Sequence, residues 1–297
     1  MAKPESFAGD SNRITREYFD SILIEMRHLD AQLPDTSFTL FGESFQTPIM
    51  TASLSHLNNL RDKGMSVMAA GAKGAGACMW SGMGSEAELE EITQTGAKTI
   101  KIIKPYADRV KVYRKIEHAK SLGVLAVGMD VDHQFAGNGG YDNVFGDEMH
   151  PVSTKELRDF VEAAKIPFIV KGVLSGIDAC KCQESGVAGI VVSHHHGIMP
   201  YAAPPLRMLP EIRRVVGKDF PVFLDCGIES GADVYKALAL GADAVCVGRA
   251  LMEALKNDGA AGVTQKIKQL NDELKGFMAR TAVHNLASMD AGVIVKI

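Results

Sequence analysis

A lysine and three histidines end two neighbouring apolar segments in the second half of the chain. Lys171 ends one segment, and Ser193 ends the next, where it is followed directly by His194, His195 and His196. Histidine has a near-neutral pKa, which suits proton transfer at physiological pH. Because side chains alternate along an extended backbone, His195 should face away from the other two. We predict that His195 or His196 acts as an acid–base group.

Two glycine turns follow the next two apolar segments. Gly227 comes after Asp225-Cys226, and Gly248 precedes Arg249. Glycines in such turns let backbone N–H groups approach a phosphate, and the dipole of the helix that follows favours an anion. The planar guanidinium of Arg249 suits a phosphate dianion. The turns predict a phosphate-bearing ligand, and ordinary strand-to-helix turns are the alternative interpretation.

A metal centre is an alternative interpretation of the histidine run. Such a centre needs three or four converging ligands, and those outside the run would have to come from Asp130, Asp132, His133 and His150. We predict no metal at the histidine run.

Cys226 stands where a helix N-terminus could lower the pKa of its thiol, but a cysteine at such a position is more often a small buried residue.

Eight short apolar segments alternate with amphipathic stretches from about residue 47 to the end of the chain. Nearly continuous apolar runs are typical of strands buried on both faces. The predicted strands are Thr47–Ala52, Ala77–Trp80, Thr99–Ile103, Leu125–Asp130, Pro167–Lys171, Gly189–Ser193, Pro221–Asp225 and Ala244–Val247. The predicted helices between them are His56–Ala70, Ser85–Thr95, Ala107–Leu122, Thr154–Ala164, Gly176–Glu184, Leu206–Val216, Ala232–Leu240 and Leu251–Asn257. Eight such units predict an α/β fold, a (β/α)8 TIM barrel, with a doubly wound open sheet as the competing architecture.

The whole chain, residues 1–297, is predicted to be one domain. Residues 1–46 form an N-terminal extension with a helix at Arg16–Leu29 and a hairpin at Phe38–Phe45, residues 47–258 form the barrel, and residues 259–297 form a closing helix and tail. Reactive groups of such a barrel lie at the C-terminal ends of its strands. The Gly- and Asn-rich stretch Gln134–Pro151 is expected to be a long loop over that end.

Composition and charge exclude several classes of partner. Charged residues make up 23% of the chain and the net charge is −4, with no basic stripe, so we expect no nucleic-acid partner. No apolar run approaches the roughly 20 residues that span a bilayer, and the N-terminal residues lack the apolar core of a secretory signal. The five cysteines cannot all pair within the chain, which favours reduced thiols and a cytoplasmic location.

Several segments together resemble the FMN-dependent α-hydroxy acid oxidase and dehydrogenase family. They are Thr47–Ala52, Pro167–Val173, Gly186–Ser193, Pro221–Asp225, Asp233–Ala242 and Val247–Arg249. The resemblance extends over roughly residues 12–290. It implies a TIM barrel that holds FMN, an oxidoreductase that acts on a small molecule, and a homo-oligomer, often a tetramer.

The resemblance also implies roles for individual residues. The positions expected to contact the flavin are Ala52, Ser53, Leu54, Gly82 and Ser193. Asp225 matches the strand-seven aspartate of the family, and Gly227, Gly248 and Arg249 match its phosphate-binding positions. Lys171 matches a lysine near flavin N1 and O2, where a fixed ammonium would stabilise the negative charge of the reduced ring. His195 aligns with the catalytic base.

The chain departs from the family where a substrate carboxylate would bind. The family reads Asn-His-Gly-(Gly/Ala)-Arg after the strand-six serine, whereas here Ile198 replaces the arginine that grips the carboxylate. A second expected arginine is missing from Gln134–Tyr141, and Lys104, in place of a tyrosine, could supply one of the lost charges to the substrate. At the phosphate, Glu229 replaces an arginine and is expected to point away. A buried arginine–carboxylate pair that loses one partner costs about 3–5 kcal/mol.

The resulting prediction is an FMN-dependent oxidoreductase that uses a histidine beside the flavin and acts on a small substrate other than an ordinary 2-hydroxy acid. One alternative is a flavin-dependent isomerase resembling the type 2 isopentenyl diphosphate isomerases, although no extra basic cluster is present to hold a diphosphate. Another is a non-catalytic flavin-binding protein whose substrate site has decayed. The retained His195 and the long loop after strand four favour an enzyme.

Overall fold

Eight parallel strands form a closed barrel within residues 8–296, the part of the chain that the computed structural model describes. The strands of this part are β1 (Ile22–Ile24), β2 (Phe38–Leu40), β3 (Glu43–Phe45), β4 (Ile49–Thr51), β5 (Met79–Ser81), β6 (Thr99–Ile103), β7 (Ala126–Asp130), β8 (Asn143–Val144), β9 (Asp147–Glu148), β10 (Phe168–Val173), β11 (Gly189–Val192), β12 (Val222–Leu224), β13 (Ala244–Val247) and β14 (Ile294–Lys296). The parallel sheet has the order β4-β13-β12-β11-β10-β7-β6-β5. A parallel bridge between Leu54 and Ser81 joins its two ends. The predicted (β/α)8 barrel is therefore confirmed and the doubly wound sheet excluded.

Each predicted barrel helix has a counterpart in the structure. The α-helices of the described chain are α1 (Ser11–Asp20), α2 (Gly64–Gly74), α3 (Glu86–Gln94), α4 (Arg109–Ser121), α5 (Thr154–Ala164), α6 (Gly176–Glu184), α7 (Pro205–Val216), α8 (Gly231–Ala239) and α9 (Arg249–Arg280). Side chains fix several of their starts. Ser153 and Ser230, for example, each form a reciprocal capping box at the first turn of α5 and α8.

Three predicted helices differ clearly from those in the structure. The predicted helix from His56 begins only at Gly64, because His56 and Lys63 have left-handed backbones with φ of 58° and 50°. The helix predicted at Arg16–Leu29 instead spans Ser11–Asp20, with Asp10 accepting a hydrogen bond from the backbone N–H of Asn12 at its start, and the predicted segment beyond it contains the strand Ile22–Ile24. The barrel's last helix and the closing helix are joined in α9, with a break at Gly259 (φ 59°, ψ −138°).

The N-terminal helix α1 lies at the carboxyl ends of the barrel strands. The Thr15 hydroxyl is 2.7 Å from Nε2 of His194, and the Asn12 side chain donates to the backbone carbonyl of His196. The predicted hairpin is confirmed as the antiparallel pair β2–β3, and the chain between α1 and this hairpin forms β1, which pairs with β14. Residues of the extension therefore help to shape the end of the barrel where reactive groups are expected.

Within the described residues, no helix combines the length and the apolar character needed to cross a membrane. The prediction that the chain begins without a secretory signal also concerns residues 1–7, which lie outside the described part. It stays a prediction, as do the domain boundaries.

Candidate active site

A cavity of about 290 Å³ opens at the carboxyl ends of the barrel strands. The predicted site residues that line it are Ala52, Ser53, Leu54, Lys171, His195, His196, Asp225, Gly227, Gly248 and Arg249. They come from the ends of five strands that are distant in sequence. The barrel therefore brings most of the predicted residues together, as expected for this fold.

The remaining predicted residues lie beside or behind this cavity. Gly82 and Lys104 line a smaller neighbouring cavity of about 60 Å³, which Ser53 and His195 also border. Ser193 is buried, and its hydroxyl accepts hydrogen bonds from the Lys171 ammonium and from the backbone N–H of His195. Ser193 is thus placed to orient two site residues.

Gly82 lies where the two ends of the barrel sheet meet. Its N–H donates to the carbonyl of Leu54 over 2.7 Å, and a Cβ at this position would lie 2.5 Å from the carbonyl oxygen of Ser53. Only glycine allows this close approach of the two loops. Because Ser53 and Leu54 line the cavity, Gly82 helps to position residues that are predicted to contact the flavin.

Lys171 stands at the centre of a buried charge cluster. Its Nζ is 3.4 Å from Asp130, 3.9 Å from Asp132 and 3.7 Å from Asp225. Burial disfavours the ammonium, but these three carboxylates outweigh it and hold the pKa of Lys171 well above its usual range. Lys171 is therefore a fixed positive charge at the cavity wall.

Asp130 links Lys171 to Lys104. Its other carboxylate oxygen lies 2.8 Å from Nζ of Lys104, and both side chains are buried. Burial would raise the pKa of Asp130, yet Lys171 and His195 hold it well below its usual range. The charge of Lys104 is consequently matched within the protein. This weakens the prediction that Lys104 supplies a free charge to a substrate.

Both ring nitrogens of His195 lie within hydrogen-bond distance of other side chains. Nδ1 is 2.8 Å from Asp132, 3.2 Å from Asp130 and 3.1 Å from the Lys171 ammonium, and Nε2 is 3.0 Å from Nε2 of His133. Burial and Lys171 act to lower the pKa of His195, but the two carboxylates prevail and raise it. Burial and the charge of Asp130 raise the pKa of Asp132 to about 6.

The histidine run forms a turn rather than an extended strand end. His195 and His196 have left-handed backbones, with φ of 47° and 54°, and both line the cavity. His194 instead is buried, accepts the N–H of Gly197 at Nδ1 and contacts Thr15 through Nε2. The prediction that His195 faces away from the other two is therefore wrong, because alternation requires an extended backbone.

The phosphate end of the cavity fits an anion. Helix α9 begins at Arg249 without a side-chain cap, and the first N–H that donates within the helix is that of Leu251, to the carbonyl of Gly248, so the N–H groups before it are available to an anion. Gly227 has φ +92°, a conformation that suits glycine, and Gly248 and Arg249 line the cavity beside it. Glu229 lies 3.9 Å from Arg249, and both side chains are more than half exposed. The donor set here and the ammonium of Lys171 at the cavity wall fit FMN.

Cys226 has a left-handed backbone, with φ 66°. Burial, with Asp225 beside it, raises the pKa of its thiol to about 12. The hypothesis that a helix terminus lowers this pKa is wrong, because desolvation of the thiolate prevails. The thiol donates to the Asp225 carboxylate over 3.0 Å, and the residue is partly exposed at the cavity wall.

From the sequence, Asp132 and His133 are candidates only for a metal centre. Asp132, His133 and His195 do lie close together. The nearest atom to Nδ1 of His195 is a carboxylate oxygen of Asp132, and Nδ1 of His133 is 2.7 Å from Asp142. One atom from each of the three side chains lies within 4.8 Å of the others, but the carboxylates of Asp132 and Asp142 are used here to orient the two imidazole rings. A polar residue two positions past a strand end was the one signal that could have drawn attention to Asp132.

Comparisons with known proteins agree with this geometry. The family described as FMN-dependent dehydrogenase matches residues 5–145 and 139–296. Glycolate oxidase 3 of Arabidopsis thaliana is 30% identical over 91% of this chain and 84% of its own length. L-lactate oxidase of Alicycliphilus denitrificans is 43% identical, over 47% of this chain and 39% of its own length. A mandelate oxidase variant solved with an FMN adduct superimposes with a TM-score of 0.88 at 27% identity, over 98% of this chain and 93% of the other. The chain therefore belongs to the FMN-dependent dehydrogenase family and is an FMN-dependent oxidoreductase related to the α-hydroxy acid oxidases.

Proposed function

We propose that this chain oxidises a small substrate that lacks the carboxylate of an ordinary 2-hydroxy acid, with His195 as the group that accepts the substrate proton. The observation that carries the proposal is the charge balance around His195. Two lysines and three carboxylates, Lys104, Lys171, Asp130, Asp132 and Asp225, form the cluster. Neither lysine is left over for a substrate anion.

Ile198 supports the same conclusion. It occupies the position of the family's carboxylate-binding arginine, and it is 38% exposed. An anionic group brought next to His195 would meet the carboxylates of Asp130 and Asp132, which lie 3.2 and 2.8 Å from Nδ1 of His195, without a guanidinium to bind it. Such an arrangement disfavours a carboxylate and tolerates a neutral or cationic group.

Separate groups of residues would bind the cofactor and accept the substrate proton. Bound FMN supplies a two-electron acceptor. Gly227, Gly248 and Arg249 would hold its phosphate, and Ala52, Ser53 and Leu54 would border its ring together with Lys171. Asp132 orients the His195 imidazole through Nδ1, which directs the basic lone pair to Nε2. His195 can then take the proton of a substrate hydroxyl.

Anaerobic reduction of the FMN-loaded protein tests this proposal. A panel of neutral alcohols, amino alcohols and 2-hydroxy acids is mixed with wild type, His195→Asn and the matched variant His196→Asn. We expect bleaching by a member of the first two classes, and a loss of about 10²–10⁴ in rate for His195→Asn but not for His196→Asn. Fast reduction by ordinary 2-hydroxy acids, or an unchanged rate in His195→Asn, would contradict the proposal.

The same panel separates the alternative functions. An isomerase would convert a substrate only after the flavin had been reduced chemically, with no net change in flavin absorption. A non-catalytic flavin-binding protein would take up FMN and show neither bleaching nor turnover.

We also propose that the protein acts in the cytoplasm as a homo-oligomer. The reduced cysteines support the first statement, since the free cysteines Cys78, Cys180, Cys182, Cys226 and Cys246 form no disulfide among the described residues. Family resemblance supports the second. Light scattering of the purified protein would contradict the oligomer if it gave the monomer mass of 31.9 kDa.

A further inference from the structure

His133 faces the proposed base from the loop that follows β7. The two rings meet edge to face, with centroids 4.2 Å apart and an interplanar angle of 83°. Their Nε2 atoms are 3.0 Å apart. The family resemblance implies a catalytic base at the position of His195. It implies no second histidine beside that base.

Each ring is fixed by a carboxylate on its far side. Nδ1 of His195 lies 2.8 Å from Asp132, and Nδ1 of His133 lies 2.7 Å from Asp142. The Lys171 ammonium, which can only donate, is 3.1 Å from Nδ1 of His195, but Asp132 is nearer and is a hydrogen-bond acceptor, so we assign a proton to both Nδ1 atoms. Two neutral rings would then point lone pairs at each other over 3.0 Å, so the close contact requires a proton between the Nε2 atoms.

The surroundings place that proton on His195. Burial and the charge of Lys104 lower the pKa of His133, whereas Asp130 and Asp132 raise that of His195 in spite of burial and Lys171. The charged groups that face the pair are Lys104 at the end of β6, Asp130 on β7, Asp132 and Asp142 in the loop after it, and Lys171 on β10. His195 must lose this proton before it can accept another from a substrate.

We propose that His133 and His195 work as one acid–base unit in which His133 carries the proton of His195 to and from solvent. His195 is itself 28% exposed, but it lines the cavity that FMN and a substrate would fill, whereas His133 and Asp142, each 21% exposed, lie outside that lining and keep a route to water. The proton on Nε2 of His195 passes to Nε2 of His133 and leaves from there. The freed Nε2 of His195 then takes the proton as the O–H bond of the substrate breaks. This direction of transfer rests on the proposed function.

The first test needs no substrate. FMN-loaded protein with ¹⁵N-labelled histidines is titrated by NMR as wild type, His133→Phe and His150→Gln, the last being a histidine of the same loop that pairs with Glu148. We expect coupled two-step titration in wild type and His150→Gln. In His133→Phe the pKa of His195 should fall by about one unit in a single step, because Nε2–H has lost its acceptor. An unchanged His195 titration overturns the proposal. If His133→Phe does not fold, His133→Gln must lose the two-step behaviour for the proposal to stand.

A zinc titration separates proton sharing from metal binding. Chelator-treated wild type and His133→Phe are titrated with Zn²⁺, and we expect the same weak response from both. Tight stoichiometric binding to wild type that the variant loses would identify the two rings as metal ligands and overturn the proposal.

The rate test uses whichever compound bleaches the flavin. We expect His133→Phe to slow bleaching about tenfold at pH 7 and added imidazole to restore part of the rate, because a diffusing base replaces the missing carrier. A rate equal to wild type overturns this inference alone, provided that His195→Asn abolishes bleaching. If His195→Asn bleaches normally, the proposed function itself fails.

Discussion

The two ends of the cleft differ in how their charges are arranged. At the end that fits the phosphate, Gly227, Gly248 and the uncapped start of α9 present backbone N–H groups, and Arg249 adds an exposed charge. At the other end, around His195, Lys104 and Lys171 are both paired with buried carboxylates, and one oxygen of Asp132 has no hydrogen-bond partner among the described residues. The phosphate end can therefore bind an anion, whereas the two lysines of the other end are already paired with carboxylates of the protein.

This difference is what the proposed function expects, in which the cofactor end keeps the properties of the family and the substrate end does not. A glycine turn before a helix binds phosphate through the backbone, so its function survives changes of side chain such as Glu229. Recognition of a substrate carboxylate depends on arginine side chains, and it is lost when these are replaced. Lys104 and Asp130 form an internal ion pair at the substrate end.

The largest effect is expected from Lys171→Met, which removes the cation that three carboxylates share. Leaving these buried charges unmatched should cost about 3–5 kcal/mol of unfolding free energy. Lys104→Met is the matched control, because Asp130 then keeps Lys171 and His195 as partners, and its loss should be about 1–3 kcal/mol. Urea unfolding measures both. Equal losses would contradict the central position of Lys171 in the cluster.

A buried lysine without a carboxylate partner should behave in the opposite way. Lys101 donates to the carbonyl of Gly82 and to Ser81, and burial lowers its pKa to about 8. The unfolded chain therefore binds more protons between about pH 8 and its usual value near 10.4, so wild-type stability should rise with pH across this window. Lys101→Met should gain about 1–2 kcal/mol at pH 7 and lose this advantage near pH 10. A variant less stable than wild type at pH 7 would refute this.

The smallest effect is expected at the exposed phosphate end. Glu229→Gln removes a carboxylate 3.9 Å from Arg249 and should tighten FMN binding by about twofold to fivefold, because exposed charges are well screened. Fluorescence quenching of FMN on titration measures the change, and Arg249→Gln should shift the affinity in the other direction. Weaker binding by Glu229→Gln would mean that this carboxylate holds Arg249 in place.

The cofactor end was predictable because its signals are local. Lys171 and the two glycine turns each stand directly after an apolar run, and the family resemblance is strongest there. The substrate end depends on contacts between distant residues. Lys104 and Asp130 are 26 positions apart, and His133 and His195 are 62 apart. No periodicity relates such pairs, and only the closed barrel brings them together.

Local backbone strain also limited the prediction. The sequence His194-His195-His196 reads as an extended strand end, but two left-handed residues turn it, so that His194 contacts Thr15 of α1. Left-handed non-glycine residues are uncommon and persist where surrounding structure holds them, often at functional sites. The start of α2 was misplaced for the same reason, at His56 and Lys63.

A matched pair of substrates tests the contrast between the two ends most directly. A 2-hydroxy acid and its neutral amide, such as lactate and lactamide, differ only in the group that the lost arginines would have bound. Each is mixed anaerobically with the FMN-loaded protein, and the rate of loss of flavin absorption is recorded at several concentrations. We predict the higher kcat/KM for the amide. A kcat/KM at least tenfold higher for the acid would contradict a substrate end whose charges are already satisfied.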